Sequence, residues 1–196
     1  VGLDRYCHSR IFKPLGLQDT GFVNLAQLRA LRLEPAVERI VPTEDCPWRG
    51  RILCGEVHDD NAYAMGGVAG HAGLFSTAAE IDRLLCHLQD CYFDRPGRQL
   101  FSPRLMRAMW TRDDSVPEST WCLGWDTPSA VGSSAGTRMS RHSVGHLGFT
   151  GCSIWIDLER ERHVLLLSNR VHPTRNNELI KEFRPFLHDL IAEALA

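Results

Sequence analysis

The stretch from Val144 to Asn169 constrains this chain more than any other. It opens with Val144-Gly145-His146-Leu147-Gly148-Phe149-Thr150-Gly151, which reads Gly-His-x-Gly-x-x-Gly. Two β-rich runs follow, Cys152 to Asp157 and His163 to Asn169, joined by Leu158-Glu159-Arg160-Glu161-Arg162. That link is charged and therefore solvated, and apolar runs joined by so short a polar link predict an antiparallel hairpin. Ser143 to Leu147 predicts a third strand ahead of it. A polar side chain between glycines at a strand end is exposed, and its backbone is open to close approach. His146 is therefore a candidate site residue and not a core one.

His146-Leu147-Gly148 resembles the third motif of the serine β-lactamases and penicillin-binding proteins, written Lys-Thr-Gly in one branch. In hydrolases related to the class C β-lactamases, histidine often stands for the lysine. Leu147 departs from the hydroxyl residue usual at the second position. Arg10 to Phe22, Ala72 to Ile81 and Leu165 to Arg170 are also similar to that family, in its order. Matches in order across nearly the whole chain are more specific than one motif. The resemblance implies a serine hydrolase that forms an acyl-enzyme on a β-lactam, a D-amino-acid peptide or a carboxylic ester. It implies that His146 sits beside the nucleophile. The turn after Gly148 would supply the Phe149 N–H to an oxyanion hole. His58 and His71, in the glycine-rich stretch Gly55 to Gly73, become candidate substrate contacts; the bland alternative is that they anchor the loop to itself. Thr174 and Arg175, which follow the last strand, join them as candidates.

Two motifs of the family are not in the sequence. No serine is followed three places on by lysine, and Tyr6, Tyr63 and Tyr92 are not followed two places on by asparagine. The chain also begins at Val1 without a methionine. It is expected to be the C-terminal part of a single serine-hydrolase domain, residues 1–196, inactive alone and partnered by the missing N-terminal half. Two other classes stay open. One is a non-catalytic interaction module of the same fold. The other is a Ser/His/Asp esterase using Ser134, because Gly132-Ser133-Ser134-Ala135-Gly136 matches Gly-x-Ser-x-Gly. A nucleophile elbow needs a strand before it and a helix after it, and this Ser/Gly loop offers neither.

A chain of 196 residues can bury a sizeable core as one domain. A net charge of -2, with 23% charged residues, gives no basic stripe for nucleic acid. No apolar run is long enough to span a membrane. No cofactor is expected and no metal site, since His142 and His146 do not lie on a helix that would make their rings converge, and Cys-x-x-Cys and His-Glu-x-x-His are absent. The seven cysteines are irregularly spaced, which favours a reducing, cytoplasmic compartment; exported members of the family leave the periplasm open.

The remaining pattern predicts an α+β fold of the β-lactamase/transpeptidase type, an antiparallel sheet flanked by helices plus a helical lobe, without its N-terminal part. A helix from Leu3 should stop at Lys13-Pro14. Asn24 should cap a helix through Leu31, and Thr77 with Glu80 should form a capping box. Ser102-Pro103 should open a helix with Leu105, Met106, Met109 and Trp110 inward. Trp121 to Asp126 should be a strand. The closing helix from Asn177 should bury Leu179, Ile180, Phe183, Phe186, Leu187, Leu190, Ile191, Ala194 and Leu195, and Pro185 should kink it. Trp48, Arg49 and Arg51 are expected at the surface.

Overall fold

The computed structural model describes residues 1–195. They fall into two compact units: residues 1–83 with 169–177, and residues 84–168 with 178–195. Helices and small antiparallel sheets occur together, an α+β composition. Among the described residues, no helix is long and apolar enough to cross a membrane.

The first unit opens with α1 (Leu3–Cys7), a π-turn (His8–Phe12) and α2 (Lys13–Leu15) in unbroken succession. The helix therefore runs past the Lys13-Pro14 stop. The π-turn widens it ahead of Pro14, where the ring would otherwise press on the carbonyl four residues back. Gly16, with φ +68°, ends it. β1 (Gly21–Phe22) pairs antiparallel with β4 (Leu74–Phe75), and β2 (Asp45–Cys46) with β3 (Arg51–Ile52). Asn24 accepts from the Gln27 N–H at 2.9 Å and caps α3 (Leu25–Leu31) as expected. Asp59 does the same for α4 (Asp60–Ala64) through the Ala62 N–H. Val57, Ala62 and Ala69 form a small apolar cluster beneath Tyr63 and Ala72.

α5 (Ala78–Tyr92) begins in this unit and continues into the other. Thr77 Oγ1 accepts from the Glu80 N–H at 3.4 Å, which is half of the capping box. The Glu80 carboxylate is used elsewhere. It is buried and takes the Gln18 and Asp19 amides and the Thr20 hydroxyl, at 2.6, 3.0 and 2.5 Å. Burial alone would raise its pKa, but these three donors outweigh it and hold the carboxyl below its ordinary range.

The second unit contains α6 (Pro103–Met109), a three-stranded sheet of order β5 (Ser143–Leu147), β6 (Ser153–Asp157), β7 (Arg162–Leu166), and α7 (Ile180–Ala194). The hairpin and the strand before it match the sequence pattern. The register pairs Gly145 with Trp155, His146 with Ile154 and Trp155 with Val164. Asp157, fully buried, closes the hairpin by accepting from the Ser140, Glu159 and Arg160 amides and the Arg160 guanidinium. Ser102 caps α6 through the Leu105 N–H; Met106 and Trp110 are buried, whereas Leu105 turns out to be exposed.

Two elements depart from expectation. Trp121 to Asp126 is a tight turn instead of a strand, because Gly124 takes φ +74° and the Cys122 N–H closes on the Trp125 carbonyl at 2.7 Å. Only Asp126 joins the sheet, bridging Gly145 on the outer edge of β5. In α7 the buried line is Ile180, Arg184, His188 and Ala192, a four-residue repeat containing two polar side chains. Leu179, Phe183, Phe186 and Leu190 are exposed by 72, 44, 60 and 46%.

Candidate functional site

In the second unit, His146 lies one residue from the end of β5 and is exposed. Its neighbour Gly145 is buried because the Trp155 indole of β6 lies against it: a Cβ there would come within 2.4 Å of the ring. Any larger residue would push β5 off β6, so the glycine before His146 is set by close packing. Trp121 lies beside the imidazole, with ring centroids 6.0 Å apart and half of the indole exposed. The exposed Phe149 lies in the turn that follows.

That turn is tightly specified. The Gly148 N–H donates to the Cys152 carbonyl at 2.7 Å, and the Gly151 N–H donates to the Gly148 carbonyl at 3.0 Å. Gly151 takes φ +124°, a conformation that suits only glycine. Arg184, buried on α7, donates to the carbonyls of Gly148 at 2.7 Å, Cys152 at 2.8 Å and Gly151 at 3.3 Å. The chain therefore brings His146, Gly148 and Phe149 together on one strand end and its turn, as the sequence suggests. Arg184 had no sequence signal, because an arginine in an amphipathic helix ordinarily faces solvent.

Ser134, the alternative nucleophile, sits in a loop with no strand before it or helix after it. Its carbonyl accepts from His188 Nδ1 at 2.7 Å, which fixes the proton on that nitrogen. His188 Nε2 is left facing the buried Ser153 hydroxyl at 3.3 Å. His188 is fully buried, and burial holds its pKa below the ordinary imidazole value. The pair ties α7 to β6 and to the Ser134 loop.

In the first unit, the residue around which the candidates gather is Glu44, unmarked in a proline-dense run and 2% exposed. Arg175 donates to it from its backbone N–H at 3.1 Å, from Nε at 2.8 and 2.9 Å and from Nη2 at 2.6 Å. His58, buried, places Nε2 3.0 Å from the same carboxylate. The Arg175 guanidinium, together with the His58 bond, outweighs desolvation and holds the Glu44 carboxyl down at about 2. Arg175 in turn is pushed above its usual value by the same carboxylate.

Three more bonds fasten this segment: His172 Nδ1 lies 2.7 Å from the Thr43 carbonyl, the Asp45 N–H donates to the Pro173 carbonyl at 2.9 Å, and the Asn169 amide donates to the Pro42 carbonyl. Asp60 completes the group, accepting from Arg49 at 3.0 Å, Trp48 Nε1 at 3.1 Å and Arg175 at 3.4 Å. Arg49 corrects the surface expectation. Its side chain is 1% exposed, with its guanidinium 4.0 Å from the Tyr63 ring centre and bonded to the Val57 and His58 carbonyls.

His58 and Arg175 are thus brought together on one buried carboxylate. His71, exposed, pairs with Asp59 at 3.0 Å, and Thr174, also exposed, accepts from the Asn176 N–H at 3.3 Å.

The chain matches the β-lactamase family over residues 2–184. Curated relatives from Escherichia coli (strain K12) and Salmonella gallinarum, both bearing the name D-alanyl-D-alanine carboxypeptidase, are 34% identical over 180 and 181 residues. Each match takes in 87% of this chain and 40% of the relative, so the chain spans about two fifths of their length. Among solved structures, a β-lactamase from Mycobacterium bovis aligns with TM-score 0.62 at 16% identity, over 99% of this chain and 57% of that one. Simvastatin synthase from Aspergillus terreus aligns with TM-score 0.59 at 18% identity, over 97 and 50%. These neighbours show the β-lactamase/transpeptidase-like fold. The chain belongs to the β-lactamase family.

Proposed function

We propose that residues 1–196 are the C-terminal part of one serine-hydrolase domain, acting through an acyl-enzyme, with the nucleophile on chain outside this sequence. The observation that carries the reading is the end of β5, where an exposed His146 precedes a braced Gly148–Gly151 turn. In the reaction, the serine Oγ attacks a carbonyl carbon and the carbonyl oxygen becomes an oxyanion. The Phe149 N–H donates to that oxygen, and stabilising it is the largest single contribution such a site makes. The leaving amine or alkoxide departs with a proton, and water later cleaves the acyl ester. His146 orients the nucleophile's proton-transfer group or holds a substrate carboxylate.

The first unit receives roles on its own geometry. Thr174 and His71, exposed, are the substrate contacts. Arg175 offers substrate only the part of Nη1 that its 3.4 Å bond to Asp60 does not use, because its Nε and Nη2 edge is committed to Glu44. His58 acts through that carboxylate as a positioning residue. The relatives' name favours a peptide ending in D-alanyl-D-alanine over an ester or a β-lactam. The exposed stripe on α7 supports the view that further chain covers this helix.

Labelling the full-length protein with a fluorescent penicillin and with a fluorophosphonate tests the reading. A covalent adduct on a serine upstream of Val1 is expected. An adduct on Ser134 would transfer the activity to the alternative esterase, and no adduct with either probe would leave an interaction module of the same fold.

A further inference from the structure

Arg184 is buried, and its guanidinium is given to main-chain carbonyls of one turn. The consequence lies in the peptide it grips most closely. The Gly148 carbonyl and the Phe149 N–H belong to the same planar, trans peptide group, so they point in opposite directions. An Nη2 donor 2.7 Å from the Gly148 oxygen therefore fixes where the Phe149 N–H points. The same oxygen also accepts the Gly151 N–H, and Nη2 holds the Cys152 carbonyl that receives the Gly148 N–H. Rotation of this one peptide would break two bonds at its oxygen. A cation at the carbonyl also polarises the amide and strengthens its N–H as a donor.

We infer that Arg184 is a positioning residue for the oxyanion-binding turn, setting the direction and donor strength of the Phe149 N–H from a helix 35 residues further along the chain. The role rests on the hydrolase reading of that turn. No side chain other than arginine presents several donors in one rigid plane, so the spread of acceptors over Gly148, Gly151 and Cys152 suits it and does not suit lysine.

The test uses Arg184→Gln and Arg184→Lys in the full-length protein, with Arg138→Gln as control, since Arg138 pairs with Glu193 of the same helix at the surface. Hydrogen exchange read by mass spectrometry over residues 145–155 should quicken roughly tenfold or more in Arg184→Gln, with exchange in residues 186–194 unchanged. On a D-alanyl ester substrate, kcat should fall about 10²-fold, as for misplacement of a catalytic group, with KM held within about twofold. Affinity for a boronic acid transition-state analogue should fall by the same factor as kcat/KM. Lysine should restore only part of the loss.

Unchanged exchange over 145–155 in folded Arg184→Gln and Arg184→Lys would overturn the inference. So would a rate loss carried by KM alone, or loss of analogue affinity no greater than in Arg138→Gln. If the parent protein hydrolyses nothing and binds no analogue, the hydrolase reading fails by itself. The exchange result then still decides whether Arg184 fixes the turn.

Discussion

Replacing Glu44 by Gln should cost about 3–3.5 kcal/mol at neutral pH, and the cost should disappear in acid. The carboxyl is buried and held at about 2 by Arg175, against an ordinary 4.5. The gap spans roughly 2.5 pH units, and at about 1.4 kcal/mol per unit that is about 3–3.5 kcal/mol. The sign follows from which state binds the proton more tightly. Unfolded, Glu44 protonates near 4.5; folded, it resists until about 2. Its contribution is therefore complete above about pH 5, falls as pH drops through 4.5, and is gone near 2. Gln cannot titrate, so the stability difference between parent and variant isolates this one group from every other carboxylate. Urea denaturation followed at pH 7, 5, 4 and 3 measures that difference. A deficit below about 1 kcal/mol at pH 7, or one that stays constant down to pH 3, would refute the argument that the Arg175 and His58 bonds outweigh the desolvation of Glu44.

In the full-length protein, His146→Ala should lower turnover roughly 10²-fold with an unchanged melting temperature, and His146→Lys should retain more activity. His163 bonds to buried Gln89 at 2.8 Å; its replacement should cost stability of ~1 kcal/mol, and exposed His142 is the better control for activity. The chain alone should hydrolyse neither nitrocefin nor p-nitrophenyl acetate above a denatured control, and any turnover would place the nucleophile within these residues. The exposed α7 stripe should make the chain associate or bind the N-terminal half of the full-length protein in trans. Phe183→Glu with Phe186→Glu should abolish this, as read by light scattering, and a parent chain that is monomeric at high concentration would count against it.

What the sequence made legible is what short-range patterning controls. The β5–β6–β7 hairpin and its glycines could be read because alternation and turn chemistry are local, and the Asn24 and Ser102 caps because they act within three residues. The misreadings share one cause, which is that periodicity cannot say which face another element will cover. In α7 the apolar count favoured Phe183, Phe186 and Leu190, yet the line facing β6 and the motif turn carries Arg184 and His188. The acceptors that line faces explain why. A turn with φ +124° at Gly151 and the Ser134 loop both turn main-chain carbonyls toward the helix, and such carbonyls need donors. A leucine at 184 would take a donor from each of three carbonyls, leaving Gly148 and Cys152 with only their main-chain partners, at ~1 kcal/mol or more each. Glu44 was hidden for the complementary reason, since its donors come from His58 and from Arg175, far along the chain. Irregular backbone near a candidate site creates polar demands that only distant residues can meet. The residues that meet them, Arg184 and Glu44, are therefore the ones a motif search passes over.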